Sequence, residues 1–243
     1  MKAIIIDNLG KKFRVPSVPT KTLKESVFRL LTRRNQFDEF QALNELSFEV
    51  PKGQTIGIIG RNGSGKSTLF RLITRVMQPT TGNITTNGKV AAIIELKAGF
   101  HPELTGLENI FLNGAIYGLT RKEIAQKLDE IIKFADIGRF IHSPTRTYSS
   151  GMLARLGFAL AINTEADILL FDEVLAVGDT DFQAKCTNKI LELKRAGKTI
   201  IYVSHNMQSV RALCDRVLLL ENGSSRADGS PNQIIELYET TNK

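Results

Sequence analysis

The stretch Gly60-Arg-Asn-Gly-Ser-Gly-Lys-Ser-Thr68 constrains this chain more than any other. It follows the apolar run TIGII (55–59) and opens a segment, 66–76, with helical apolar spacing. It satisfies G-x-x-x-x-G-K-[ST] in the strand–loop–helix context that a triphosphate-binding loop requires. Gly60, Gly63 and Gly65 let the backbone wrap closely, so that its N–H groups point at phosphate oxygens. Asn62, Ser64 and Thr68 complete the nucleotide-binding set. Lys66 has the reach for the β- and γ-phosphates, and the Ser67 hydroxyl is placed to ligate Mg²⁺.

A loop of this kind belongs at the carboxyl edge of a parallel sheet, and the rest of the chain supplies one. Short apolar runs recur at AIIID (3–7), VAAII (90–94), ADILLF (166–171), TIIYVS (199–204) and RVLLLE (216–221). Runs without alternation predict strands buried on both faces. Helical patterns at 66–76, 121–134, 181–195 and 206–213 alternate with them, which predicts an α/β fold. No strand pattern occurs between Lys97 and Asn163, so that stretch reads as a helical lobe inserted into one domain spanning 1–243.

Two of these runs end in chemistry. ILLF leads into Asp172 and Glu173. A carboxylate at that strand end faces the crevice of the phosphate loop, so Asp172 is placed to hold Mg²⁺ through water. Glu173 is placed to orient or deprotonate the attacking water. His205 follows IIYVS at the same edge and is placed to hydrogen-bond the γ-phosphate and position Glu173. Alone, an acid pair ends many strands and a lone histidine usually caps or packs; the phosphate loop raises both to site candidates.

The formal charge of +7 is local. Residues 1–34 hold nine Lys/Arg against Asp7 and Glu25, and the remainder balances 23 basic with 23 acidic residues. Within the irregular stretch from about 14 to 40, Leu23, Val27, Leu30 and Leu31 keep helical spacing among Lys21, Lys24, Arg29, Arg33 and Arg34. Such a segment is either a solvated face or meets phospholipid headgroups, an anionic substrate or nucleic acid. No apolar run reaches bilayer length, and Asp7 stands where a signal peptide would stay apolar, which predicts a cytosolic chain. Cys186 and Cys214 form no CxxC and fit a reducing compartment.

The run TYSSGM (147–152) poses a different question, since it puts two serines and a glycine at the entrance of a helix-like segment. That is the composition of a second anion-binding helix start. The order GRNGSGKST, YSSGM, ILLFDE, Asp179, His205 resembles the ATP-binding cassette (ABC) ATPases over nearly the whole chain. The resemblance implies a phosphate-loop domain with a mostly parallel core sheet, an antiparallel β subdomain and an inserted helical lobe at about 97–163. It implies ATP hydrolysis with Mg²⁺. It also makes YSSGM the family signature, which closes on the γ-phosphate held by a second copy. Ser149, Ser150 and the Gly151 amide, backed by a helix starting near Met152, would be the contacts in that homodimer. Asp179 matches the aspartate that couples the two sites. Phe13 falls where an aromatic residue stacks on adenine, with Phe37 and Phe40 as alternatives. Glu95 stands near the position of a glutamine that usually touches Mg²⁺ and the membrane subunit.

ELKAGFHPELTGLENIFLNGAIYG (95–118), YSSGM, DEVLAVGD (172–179) and FQAKC (182–186) further resemble ATP-binding subunits of bacterial polysaccharide exporters. These serve O-antigen, capsule or teichoic acid chains on a lipid carrier. The implied setting is the cytoplasmic face of the inner membrane, against two transmembrane permease subunits. The basic segment would then meet the lipid-linked polysaccharide or anionic headgroups. The competing readings are an ABC transporter ATPase of another substrate and a non-transport ABC ATPase of the DNA-repair or chromosome type. The latter would carry coiled-coil heptads or cysteine clusters in the lobe, and this sequence has neither, so nucleic acid is not an expected partner.

Overall fold

Each fully apolar run becomes a strand, and the sheet pairing explains why. The computed structural model describes residues 1–16, 37–93, 99–172 and 179–241. In chain order its strands are β1 (Lys2–Pro16), β2 (Phe37–Pro51), β3 (Thr55–Ile59), β4 (Thr81–Thr86), β5 (Val90–Ile93), β6 (Ile168–Asp172), β7 (Thr199–Val203), β8 (Arg216–Glu221) and β9 (Ser224–Gly229). The helices are α1 (Lys66–Ile73), α2 (Gly106–Ile116), α3 (Arg121–Ala135), α4 (Ser150–Ile162), α5 (Thr180–Arg195), α6 (Met207–Leu213) and α7 (Pro231–Thr241).

Six strands form one sheet in the order β5-β6-β7-β3-β8-β9, parallel except for the β8–β9 hairpin at its edge. Successive residues of a strand point to opposite faces, and here each face meets its own core. Ile168, Leu170, Ile201, Val203, Leu218 and Leu220 pack with α1 and a second, antiparallel sheet. Leu169, Phe171, Ile200, Tyr202, Val217 and Leu219 pack with α4, α5, α6 and α7.

The antiparallel sheet has the order β2-β1-β4. AIIID was expected among the core strands; it lies instead at the centre of this smaller sheet. Its residues pair with β2 (Ile4↔Val50, Ile6↔Phe48) and with β4 (Ile4↔Thr86, Ile6↔Ile84). A fully apolar run reports burial on both sides, and it cannot say which sheet provides the burial. Arg216 joins the two sheets: its guanidinium pairs bidentately with Asp228 at 2.5 Å and donates to the Glu49 carbonyl at 2.9 Å.

Among the described residues, 99–163 are helices and loops with one isolated bridge, Thr105↔Pro144, and have a core of their own around Ile110, Ile124, Ile131, Leu156 and Leu160. Both α2 and α3 begin with a capping box, Thr105 with Glu108 and Thr120 with Glu123. β4, β9 and α7 had no sequence expectation. The strands TGNITT and SSRADG are exposed edges held by backbone pairing, with no apolar alternation to betray them.

Candidate functional site

Adjacent parallel strands bring the site together. β7 lies between β6 and β3, with Asp172 level with Val203 and Val203 level with Ile58. The chain therefore leaves β3 at Gly60, β6 at Asp172 and β7 at Ser204–His205 along one carboxyl edge, the crevice side of an open α/β sheet. A cavity of about 480 Å³ opens there, lined by Phe40, Ala42, Asn62, Gly63, Gly65, Lys66, Ser67, Thr68, Asp172 and His205. That lies within the roughly 300–1,000 Å³ of small-molecule sites.

The loop backbone accounts for its glycines. Gly65 has φ 104°, and a Cβ there would stand 2.7 Å from the Ala42 carbonyl oxygen. Gly60 has φ 151°, and its Cβ would meet the Leu220 carbonyl at 2.3 Å. The loop is thus pressed between the middle of β2 and the end of β8, and within it the Ser64 N–H donates to the Arg61 carbonyl at 3.1 Å. Below it, the Gly223 N–H donates to the Ser64 carbonyl at 3.1 Å, which ties the loop floor to the β8–β9 turn. Ser64 is buried beneath Gly60 and, like Gly60, is not part of the cavity wall. Lys66 is 7% exposed, and its Nζ donates to the carbonyls of Gly60 at 2.8 Å and Arg61 at 3.0 Å. The ammonium is thereby held over the loop, and Lys66 is part of the cavity wall.

Of the three aromatic candidates, Phe40 lines the cavity, while Phe13 and Phe37 do not. Phe13 is the cross-strand partner of Phe40 and carries the Lys11 ammonium 5.4 Å from its ring centroid. Glu173, Glu95 and the basic residues Lys21, Lys24, Arg29, Arg33 and Arg34 lie outside the described residues.

The YSSGM run is elsewhere. α4 begins at Ser150, two residues before the expected start, and Ser149 is its N-cap, accepting from the Met152 N–H at 3.2 Å. Ser149, Ser150 and Gly151 are absent from the cavity wall. Gly151 is not needed for the fold: its Cβ would meet only the Ser149 Oγ, at 3.8 Å. A glycine in a helical turn costs about 0.5–1 kcal/mol relative to alanine, so its presence leaves an open surface at a helix start. Tyr148 is buried instead, donating from its hydroxyl to the Phe140 carbonyl at 2.5 Å.

Asp179 caps α5, accepting from the Phe182 N–H at 2.9 Å, and pairs with Arg155 of α4 at 2.7 Å. The Phe182 N–H, with Arg155 adding to it, holds the Asp179 carboxyl below its usual range. Glu108 and Glu123 are also held low, Glu108 chiefly by the Thr105 backbone N–H and Glu123 chiefly by the Thr120 hydroxyl. Burial pushes both cysteine thiols up to about 12, so they stay protonated.

One residue had no sequence signal. Asn109 is fully buried, accepts from the His101 N–H at 2.7 Å and donates to the carbonyls of His101, Leu104 and Thr105. Thr145 joins it by donating to the His101 carbonyl at 2.9 Å, which bolts the loop before α2 to the loop before YSSGM. Only the box Thr105-x-x-Glu108, one position earlier, marked the helix start.

Comparisons with known proteins give the family and the fold. The profile of the ABC transporter family matches residues 43–176. The O-antigen export system ATP-binding protein of Klebsiella pneumoniae is 52% identical over 212 residues, covering 87% of this chain and 85% of that protein. A teichoic acids export ATP-binding protein of Bacillus cereus is 44% identical over 232 residues, covering 95% of this chain and 41% of that protein. A solved dimeric ATP-binding cassette, in a post-hydrolysis state with ADP and Pi, superposes with a TM-score of 0.75 at 20% identity, covering 94% of this chain and 98% of that one. That last likeness is one of fold.

Proposed function

The chain belongs to the ABC transporter family, and on that premise we propose that it is the ATP-hydrolysing subunit of an exporter of lipid-linked polysaccharide. The fold, the phosphate loop and the family make it an ATPase. The polysaccharide assignment rests on the export relatives, at 52% and 44% identity. No described helix is long and apolar enough to cross a membrane. By its likeness to export-system subunits, the chain would act as a peripheral subunit on the cytoplasmic face of the inner membrane, against two permease subunits.

One observation carries the mechanism: the cavity gathers the phosphate loop, Asp172 and His205, while the start of α4 stands outside its wall. Two copies packed head to tail would let each Ser149–Gly151 turn meet the γ-phosphate held by the other. The first-turn backbone N–H groups and the dipole of the helix start favour that charge. Lys66 holds the β- and γ-phosphates, and Phe40, rather than Phe13, forms the adenine platform. The hard oxygens of Ser67 and Asp172 suit Mg²⁺, which favours one or two carboxylates together with substrate phosphates. That ion supplies neutralisation of phosphate charge. Glu173 orients the attacking water and takes its proton, and His205 hydrogen-bonds the γ-phosphate beside it. Closure of the dimer moves the permeases, and hydrolysis reopens it. Asp179 couples these events, and Glu95 serves at the permease contact.

The basic segment from about 14 to 40 would face anionic headgroups or the lipid pyrophosphate rather than nucleic acid. Neutralising Lys21, Lys24, Arg29, Arg33 and Arg34 should lower export while the ATPase of the isolated chain persists; equal loss of both contradicts it.

The test of the function is made in the source cell with Glu173→Gln. Surface polysaccharide should fall while lipid-linked polysaccharide accumulates inside. An unchanged distribution, with hydrolysis confirmed lost, refutes the export assignment and leaves the ATPase.

A further inference from the structure

Asp179 has both carboxylate oxygens engaged within its own chain. Oδ1 accepts from the Phe182 N–H at 2.9 Å as the N-cap of α5, and Oδ2 accepts from Arg155 Nη2 at 2.7 Å. Arg155 belongs to α4, four residues after Gly151, so the two lie on one face a turn apart. Its guanidinium is held at several points. It stands 4.8 Å from the Phe182 ring centroid, and Nη1 donates to the Asp136 carbonyl at 3.5 Å. Phe182 in turn is buried in the core beneath α4 and α5, edge-on to Phe158 and Phe134. A planar guanidinium can stack on a ring while separate nitrogens donate to the Asp179 carboxylate and the Asp136 carbonyl, and an ammonium fits this seat less well.

An exposed ion pair contributes little by itself, and the Asp179 side chain is 60% exposed. The arrangement is different in kind from a loose surface pair. The Arg155 side chain is 20% exposed, and it touches two consecutive features of one element, the cap and the first-turn ring of α5. A shift of α4 along its axis is therefore delivered to the residue where the chain returns from the Asp172 strand end.

We propose that Arg155 is a positioning residue: it ties the phosphate-facing start of α4 to the N-cap of α5, so that engagement of Ser149–Gly151 by a second copy fixes Asp179 through the chain's own interior. The inference rests on the reading of α4 as half of a partner's site. It moves the coupling role expected of Asp179 from a contact across the dimer to a contact inside each subunit.

The test uses the full chain and steady-state ATPase. Asp179→Asn keeps an N-cap of equal quality but removes the charge, and Arg155→Gln removes the other partner. Each should lower kcat about fivefold with KM for ATP held within about twofold, since ground-state binding is untouched and the loss falls on the reacting complex. The double variant should be no slower than either single one, because one link is lost once. Arg155→Lys should recover only part of the rate. ATP-driven dimerisation, measured by sedimentation in a Glu173→Gln background, should be unchanged by Arg155→Gln. Unchanged kcat in the single variants, additive losses in the double one, or a kcat loss matched by lost dimerisation would overturn the proposal. Gly151→Asp separates the two layers. If it abolishes hydrolysis while Arg155→Gln does nothing, this inference alone fails. If Gly151→Asp leaves kcat intact, the partner-site reading and this inference fall together.

Discussion

Gly63 and Gly65 stand in the same loop, and replacing each with alanine should have quite different results. Gly63 has φ 81° with nothing within 4 Å of a Cβ position, so Gly63→Ala adds backbone strain alone. For an L-residue in that region the cost is about 1 kcal/mol. Gly65 has φ 104°, and its Cβ would press to 2.7 Å on the Ala42 carbonyl and on Leu43 Cδ2. The leucine end can swing aside; the carbonyl belongs to β2 and cannot. Overpacking of this kind adds about 1–3 kcal/mol, giving roughly 3 kcal/mol for Gly65→Ala once strain is included. The loop can shed that strain by moving, which removes its N–H groups from the phosphates, or the fold can absorb it. Titration with a fluorescent ATP analogue and thermal unfolding therefore belong together. If the loop moves, Gly65→Ala should weaken nucleotide binding by roughly a hundredfold and Gly63→Ala by about fivefold. If the fold absorbs it, Tm should fall by roughly 6–12 °C for Gly65→Ala, at about 2–4 °C per kcal/mol. Equal, small effects of both variants on affinity and Tm would refute the steric account of this loop.

Phe40→Ala should raise the Kd for ATP about tenfold, the worth of one base stack, while Phe13→Ala should change it much less; the reverse order in the same titration would return the adenine platform to Phe13. Gly106→Ala should destabilise the helical lobe because its Cβ would lie 2.1 Å from the Tyr148 hydroxyl oxygen; adding Tyr148→Phe should recover part of the lost Tm, and no recovery would mean that the clash is relieved some other way. Glu108 and Glu123 have carboxyls held below their ordinary value of 4.5. Their stabilisation is present above that value and is lost as the pH falls through their lowered folded values. The variant with Gln at both positions should therefore lose less Tm than the parent between neutral pH and that acid range; equal losses would exclude the capping boxes as its source. Glu173→Gln should bind ATP as the parent does and persist as a dimer in gel filtration with ATP, and hydrolysis at the parent rate would refute its role as base.

Most of the residues that line the cavity were legible because they sit where a simple rule applies. Gly60 to Thr68 announce themselves by pattern and context, and the fully apolar strands before Asp172 and His205 place both at one sheet edge. The helix boundaries near Arg121 and Thr180 were legible for the same reason, since apolar periodicity and caps agree there. Other features depend on pairing that a linear sequence does not display. AIIID reads as buried, yet only the register with Val50 and Thr86 assigns it to the smaller sheet. TGNITT and SSRADG carry mostly polar side chains, with only Ile84 and Ala227 packed against the cores, so neither shows an apolar alternation that marks it as a strand. Phe13 and Phe40 face each other across one strand pair, and only the folded chain shows that Phe40 and not Phe13 lines the cavity. Arg155 reads as one charge in an apolar helix; its partners, Asp179 and Phe182, are more than twenty residues away.

The most direct measurement mixes two variants of the purified chain and assays ATP hydrolysis. Lys66→Ala disables the phosphate loop and leaves Ser149–Gly151 intact; Gly151→Asp disables the start of α4 and leaves the loop intact. Each alone should be inactive. If every site joins one chain's loop to another's helix start, a mixed dimer contains one complete site, and the mixture should regain activity. A mixture as inactive as its components would place loop and helix start in the same chain's site and contradict the shared-site mechanism.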